Sequence, residues 1–159
     1  YQLKKTNKKN TIDKVDENRN KSTKLIWEKP DSWISSEGSS MRLASFSSPY
    51  SGGIGDLSVI QLGGDGGGLK SNVNRWRGQL NLGPIDLFDI EKDIVKEEGQ
   101  LNIFSTIQII NQEIDSAFFC AIIPSGNYTI FVKLSLKPMG IIEIKDDFIK
   151  FCSSLKFSN

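Results

Sequence analysis

Asn72-Val73-Asn74-Arg75-Trp76-Arg77-Gly78-Gln79 is the stretch with the densest directional hydrogen-bonding chemistry in the chain. Guanidinium forks and carboxamides make fixed bonds to carbonyls and carboxylates, whereas Lys and Glu would serve better if solubility were the only need. Asn72, Asn74, Arg75, Arg77 and Gln79, joined by Arg42 from an upstream segment, are therefore the candidate partner-binding set. Bracing of neighbouring loops is the more ordinary use of such groups, and at this level both uses stay open. Just before this string lies a second candidate, Gly63-Gly64-Asp65-Gly66-Gly67-Gly68. A helix N-terminus offers free N–H groups and partial positive charge, and glycine lets an anion approach the backbone. The run lacks the Gly-Lys-Ser/Thr ending of a phosphate loop and belongs to no clear βαβ unit, so a flexible strand-to-helix turn is the simpler reading. Its alternative is a small-anion or polar-ligand site made by Gly66, Gly67 and Gly68 with Lys70 or Asn72.

Other chemistry is thin. The chain has no histidine, which removes a Ser-His-Asp triad, a His-based zinc site and an imidazole switch. Its two cysteines, Cys120 and Cys152, cannot form a four-cysteine zinc site; they read as buried free thiols, with a disulfide as the other reading. Asp86, Asp89, Glu91, Asp93, Glu97 and Glu98 lack calcium-loop spacing and read as a solvated face. Trp27 and Trp33 read as plugs at the end of a core rather than as a ligand-stacking pair. No nucleophile–base pair emerges, so the expectation is a non-enzyme with no catalytic residue, no metal and no cofactor.

The elements that position these groups follow from periodicity. Leu25-Ile26-Trp27, Met41 to Phe46 and Asp56 to Leu62 read as strands, with Ser47 to Gly55 a turn or short loop. Leu69, Val73, Trp76 and Leu80 fall at i, i+4, i+7 and i+11, the apolar stripe of a helix that Gly83-Pro84 ends. After a short connection come β-rich stretches at Gly99 to Ile110, Ser116 to Ile123 and Tyr128 to Leu136, separated by tips and hence antiparallel. Ser116 to Ile123 is apolar on both faces, as a central strand covered on both sides must be. Pro138 opens a last helix with Ile141, Ile144, Phe148, Phe151 and Leu155 on one face; Leu155-Lys156-Phe157 could instead close as an edge strand. The order implies an α+β class: an antiparallel sheet flanked by helices on both faces.

Charge divides the chain. Residues 1–23 carry seven cations and three anions, while 24–159 carry a net −3. The first segment is poor in large apolar residues and reads as a disordered basic arm or linker, with 24–159 as a single domain. The arm could be a tether whose lysines favour anionic lipid headgroups, and its charge is opposite to that of 86–98. An overall balance of +1 disfavours a nucleic-acid partner, and no apolar run approaches the roughly 20 residues of a membrane span.

A resemblance sharpens this. Trp27-x-x-Pro30-x-x-Trp33, Ser40-Met41-Arg42-x-Ala44-Ser45-Phe46, Asp56-Leu57-Ser58-Val59 and above all Gly67-Gly68-Leu69-x-x-Asn72-Val73-Asn74-Arg75-Trp76-Arg77-Gly78-Gln79-Leu80 resemble a family of uncharacterised bacterial exported and lipoprotein-like proteins. Ala121-Ile122-Ile123-Pro124, Phe131-x-Lys133-Leu134 and Phe148 to Phe157 extend it over about 24–157. Segment 86–100 matches loosely, and Tyr128-Thr129-Ile130-Phe131 stands where relatives carry a Trp-Phe pair. The order of elements is similar to the PsbP-like fold, an α/β/α sandwich that includes extrinsic photosystem II subunits and a Ran-binding import factor. Such proteins act mostly by binding. The resemblance therefore implies an extracytoplasmic, periplasmic or membrane-anchored accessory or scaffold protein that binds a protein partner as a subunit of a membrane-associated complex.

Overall fold

Alternating and doubly apolar runs become strands because a pleated surface buries branched and aromatic side chains on one or both faces. The computed structural model describes residues 24–37, 39 and 41–158; the arm at 1–23 lies outside the described residues. In chain order the elements are β1 (Leu25–Ile26), β2 (Ile34–Ser35), β3 (Ala44–Tyr50), β4 (Gly53–Gly63), α1 (Leu69–Gln79), α2 (Leu87–Asp93), β5 (Val95–Glu98), β6 (Ile103–Asn111), β7 (Ser116–Ser125), β8 (Tyr128–Leu136), α3 (Ile141–Ser154) and β9 (Lys156–Phe157). Strands β2-β3-β4-β8-β7-β6-β5 form a seven-stranded sheet, antiparallel at every pairing, and β1 pairs with β9 apart from it.

Helices lie on both faces, as the α+β reading requires. On one, α3 buries Ile141, Ile144, Phe148 and Phe151 against Phe119, Ala121, Val132 and Leu134. Phe148 stacks on Phe119 with centroids 4.3 Å apart, and Trp33, 2% exposed, packs with Phe46 and Phe151 as the expected end-plug. On the other, Val73 and Trp76 of α1, Leu80 at its C-terminal end and Ile90 of α2 cover Ile107, Ile109, Phe118, Cys120 and Phe131. Strand β7 is buried on both sides, which fits its two apolar faces.

Several boundaries differ from the sequence reading. Ser47 to Gly55 is mostly strand, and only Ser51 and Gly52 turn. Its glycines answer to packing: a Cβ on Gly55 would lie 2.8 Å from Leu134 Cδ1. Pro49 is tolerated because Ser36 N–H bonds Ser45 O, so alternate residues of β3 turn their backbone groups to the outer edge. Gly99 to Asn102 is not part of a strand but the turn between β5 and β6. The presumed connection after α1 holds a helix, α2, capped by Asp86, whose side chain accepts from Asp89 N–H at 3.0 Å. Chain closure follows the strand alternative, β9 on β1.

Candidate partner-binding site

With 3.6 residues per turn, Asn72, Arg75 and Gln79 fall on one side of the apolar stripe of α1, and Lys70, Asn74 and Arg77 on the other. The structure gives the two edges different work. Asn74 clasps the segment leading to α2: its Nδ2 donates to Ile85 O and its Oδ1 accepts from Ile85 N–H, both at 2.9 Å. Arg77 Nε donates to Gly83 O at 2.7 Å. These two side chains brace the loop that carries α2. Asn111 holds the same end of α1 from β6, donating to Leu80 O at 2.8 Å.

The opposite edge faces open sheet. Asn72, 4% exposed, donates to Gly66 O and Gly68 O and accepts from Arg75 at 2.6 Å. Arg75 is exposed, with its guanidinium 5.7 Å from the Trp76 ring centre. Exposed Gln79 accepts from Lys133 Nζ, which also sits 4.1 Å from the centre of the Phe118 ring. Residues directly opposed in an antiparallel sheet project to the same side. The register therefore sets out two rows on this face. One runs Ile107, Cys120, Lys133, Ser58, Ser45; the other runs Ile109, Phe118, Ser135, Asp56, Ser47, Ile34. Each row starts under α1 and α2 and emerges beyond the helix edge as a shelf of serines. Arg42 stands over that shelf, bonded to Ser45 Oγ at 3.1 Å and paired with Asp56 at 3.3 Å.

Lys133 is held below the ordinary lysine range, first by burial, with Arg75 and Arg42 repelling its charge in the same direction, while Cys120 and Asp56 oppose the shift. Arg42, Arg75 and Lys133 thus share one electrostatic neighbourhood. Lys133, Asp56 and the serine shelf were not in the sequence-derived set. The available signal was a lysine within the apolar run Ile130 to Leu134 of β8, whose meaning is visible only once the partner strands and their register are known.

The glycine turn is shaped by its own geometry. Gly66, Gly67 and Gly68 have φ of 65°, 101° and 90°, a region that disfavours side chains, and a Cβ on Gly66 would lie 2.5 Å from the Phe131 ring. Asp65 already accepts from Gly67 N–H at 3.0 Å. The first turn of α1 has no side-chain cap and no acid. It opens on a shallow hollow of about 660 Å³ lined by Gly67, Gly68, Lys70 and Asn74 among others. Both thiols are free and buried, on opposite faces of the sheet. Burial pushes Cys120 up to about 12, and it pushes Cys152 well above the ordinary thiol range.

No protein-family model and no curated protein sequence matches this chain. Solved structures do. A chain from Bacteroides thetaiotaomicron VPI-5482 superposes with a TM-score of 0.54 at 12% identity, over 85% of this chain and 45% of its own, so this chain spans less than half of that one. Cyanobacterial PsbP (CyanoP) from Synechocystis sp. PCC 6803 gives 0.50 at 14% identity, over 86% of this chain and 93% of its own. LpqN of Mycobacterium tuberculosis, a protein involved in cell envelope biogenesis, gives 0.48 at 13% identity, over 87% and 85%. Among the described residues no helix is long and apolar enough to cross a membrane. At such identities the likeness concerns architecture, and the α+β sandwich described above is a PsbP-like fold.

Proposed function

We propose that this chain is a non-enzymatic accessory or scaffold protein that works outside the cytoplasm, binding a protein partner as a subunit of a membrane-associated complex. The observation that carries the reading is the uncovered part of the sheet beside α1. There Arg42, Arg75 and Gln79 border a face that α1 and α2 leave open. The PsbP-like fold supports a binding role, because the resemblance implies association rather than catalysis. The exported and lipoprotein-like family suggested by the α1 motif supports the location, with the basic arm at 1–23 as a peripheral or lipid-anchored tether. The test is mild-detergent purification of the full chain from the membranes of its own cells. A stoichiometric companion that is lost in Arg42→Ala/Arg75→Ala, with the variant still folded, is the expected result. Recovery of the chain alone contradicts the reading, and a companion indifferent to the variant contradicts the open face as the place where it binds.

A second reading places a small anion or polar ligand at Gly66, Gly67, Gly68 and Lys70. The uncapped first turn of α1 beside its hollow favours it, and the Asp65 carboxylate on Gly67 N–H opposes it. A phosphate-dependent rise in melting temperature, abolished in Lys70→Ala, would support this reading over the first.

A further inference from the structure

The shelf concentrates positive charge in a domain that has little to give. Residues 24–159 carry a net −3, yet the charged side chains acting on Lys133 are Arg75, Arg42 and a single carboxylate, Asp56. An ammonium half-buried between like charges costs stability unless something else holds it there. Lys133 is nevertheless fixed, by Gln79 and the Phe118 ring, at the boundary where the covered sheet becomes open. The floor beyond it carries partly exposed hydroxyls: Ser58 continues the Lys133 row to Ser45, which is buried beneath Arg42, and Ser135 and Ser47 flank Asp56 in the next. Ile34 and Ile54, 65% and 71% exposed, project from the same face at its margin. The shelf is thus a shallow trough between the α1 edge and Arg42, with cations on both sides, hydroxyls on the floor and apolar side chains at the rim.

We infer that this trough binds an extended segment of the protein partner that presents carboxylates on one side, gripped by Arg42, Arg75 and Lys133. This rests on the accessory-subunit reading above and names the partner's chemistry. Guanidinium forks on the rim pair with carboxylates bidentately, and Lys133 adds a point charge near the floor. An extended chain repeats its side chains with period two, so alternate acids face one surface while small residues between them clear it. The hydroxyls of Ser47, Ser58 and Ser135 then accept from or donate to the segment without demanding a sequence. The apolar rim favours a polypeptide over a bare headgroup, because an isolated phosphate leaves Ile34 and Ile54 in water.

The test is an amide-resolved NMR titration of the full chain with a peptide of alternating Glu and Ser, beside its Gln-for-Glu counterpart. The Glu peptide should shift the amides of Ser45, Ser47, Ser58 and Lys133, weaken as salt rises, and bind about tenfold less tightly to Arg75→Gln or Lys133→Met. Arg75 is exposed, so its variant keeps the fold, and dispersion of the spectrum verifies that for both. Equal binding of the Gln peptide overturns the inference. So does undiminished binding by the variants, or a response of the same amides to inorganic phosphate or phosphatidylglycerol vesicles but not to the peptide. A companion that co-purifies equally with wild type, Arg75→Gln and Lys133→Met would overturn the trough while sparing the accessory-subunit reading. A trough response to the Glu peptide with no companion in membranes would support the trough and count against that reading.

Discussion

Asn72 and Lys133 lie on the two sides of the same helix edge and make opposite demands on stability. The Asn72 carboxamide closes the glycine turn through Gly66 O and Gly68 O and steadies Arg75. Removing it takes the side-chain donor from Gly66 O and leaves Gly68 O with the residue-72 N–H alone, so Asn72→Ala should lose about 0.5–1.5 kcal/mol in urea unfolding. Lys133 behaves in the other sense. Folding lowers its pKa, so the unfolded chain binds more protons in the window between the folded value and the ordinary lysine value. Its penalty is therefore in full force below that window and fades as pH rises through it. Lys133→Met should be at least as stable as wild type at neutral pH, and its advantage should shrink as the solution is made alkaline. A variant that is markedly less stable at neutral pH would mean that the Gln79 bond and the Phe118 contact outweigh burial. The thiols give a third check at this scale. With Cys120 pushed up to about 12 and Cys152 also raised, neither should react with a thiol reagent in the native protein at mildly alkaline pH, and both should react once it is unfolded.

Among the elements, the join between β4 and α1 is the most constrained. Gly66→Ala adds a Cβ 2.5 Å from the Phe131 ring at a φ of 65°, so it should cost about 1–3 kcal/mol. Gly63→Ala, where a Cβ meets nothing within 4 Å, should be close to neutral in the same thermal or urea melts. Sequence patterning carried far where a long stripe or a doubly apolar run existed. The stripe through Val73, Trp76 and Leu80 and the two faces of β7 led directly to the right elements and layers. It failed where one residue type serves two purposes. Gly53 and Gly55 looked like turn formers, but the strand takes them because Tyr50 and Leu134 fill the space of their side chains. The helix α2 escaped notice because it is short and buries only Ile90. For the candidate site, the side chains on α1 were legible as a polar string. Its division into a bracing edge and an open edge was not, since that depends on which strands lie beneath each side. Lys133 and the serine rows needed the register of β3, β4 and β8, which no local pattern supplies.

At the scale of the whole molecule, the helical layers are unequal. The α3 layer, helped by Trp27 and Trp33, spans from β3 to β6, whereas α1 and α2 cover β6, β7 and β8 and leave β2, β3 and the first half of β4 open. The sheet edges themselves are guarded, by Pro49 on the outer side of β3 and by Lys96, Glu97 and Glu98 on β5, so an added strand is disfavoured at both. A face-on contact over the open shelf is the docking mode the architecture leaves available. The most direct measurement is site-specific photo-crosslinking in the cells that make the protein. One crosslinker replaces Ile54, which projects from the shelf, and another replaces Lys150, exposed on α3 across the sheet. The account predicts one discrete protein adduct from position 54, weakened by Arg42→Ala/Arg75→Ala, and none from position 150. Adducts from both positions alike, or none from position 54, would contradict it.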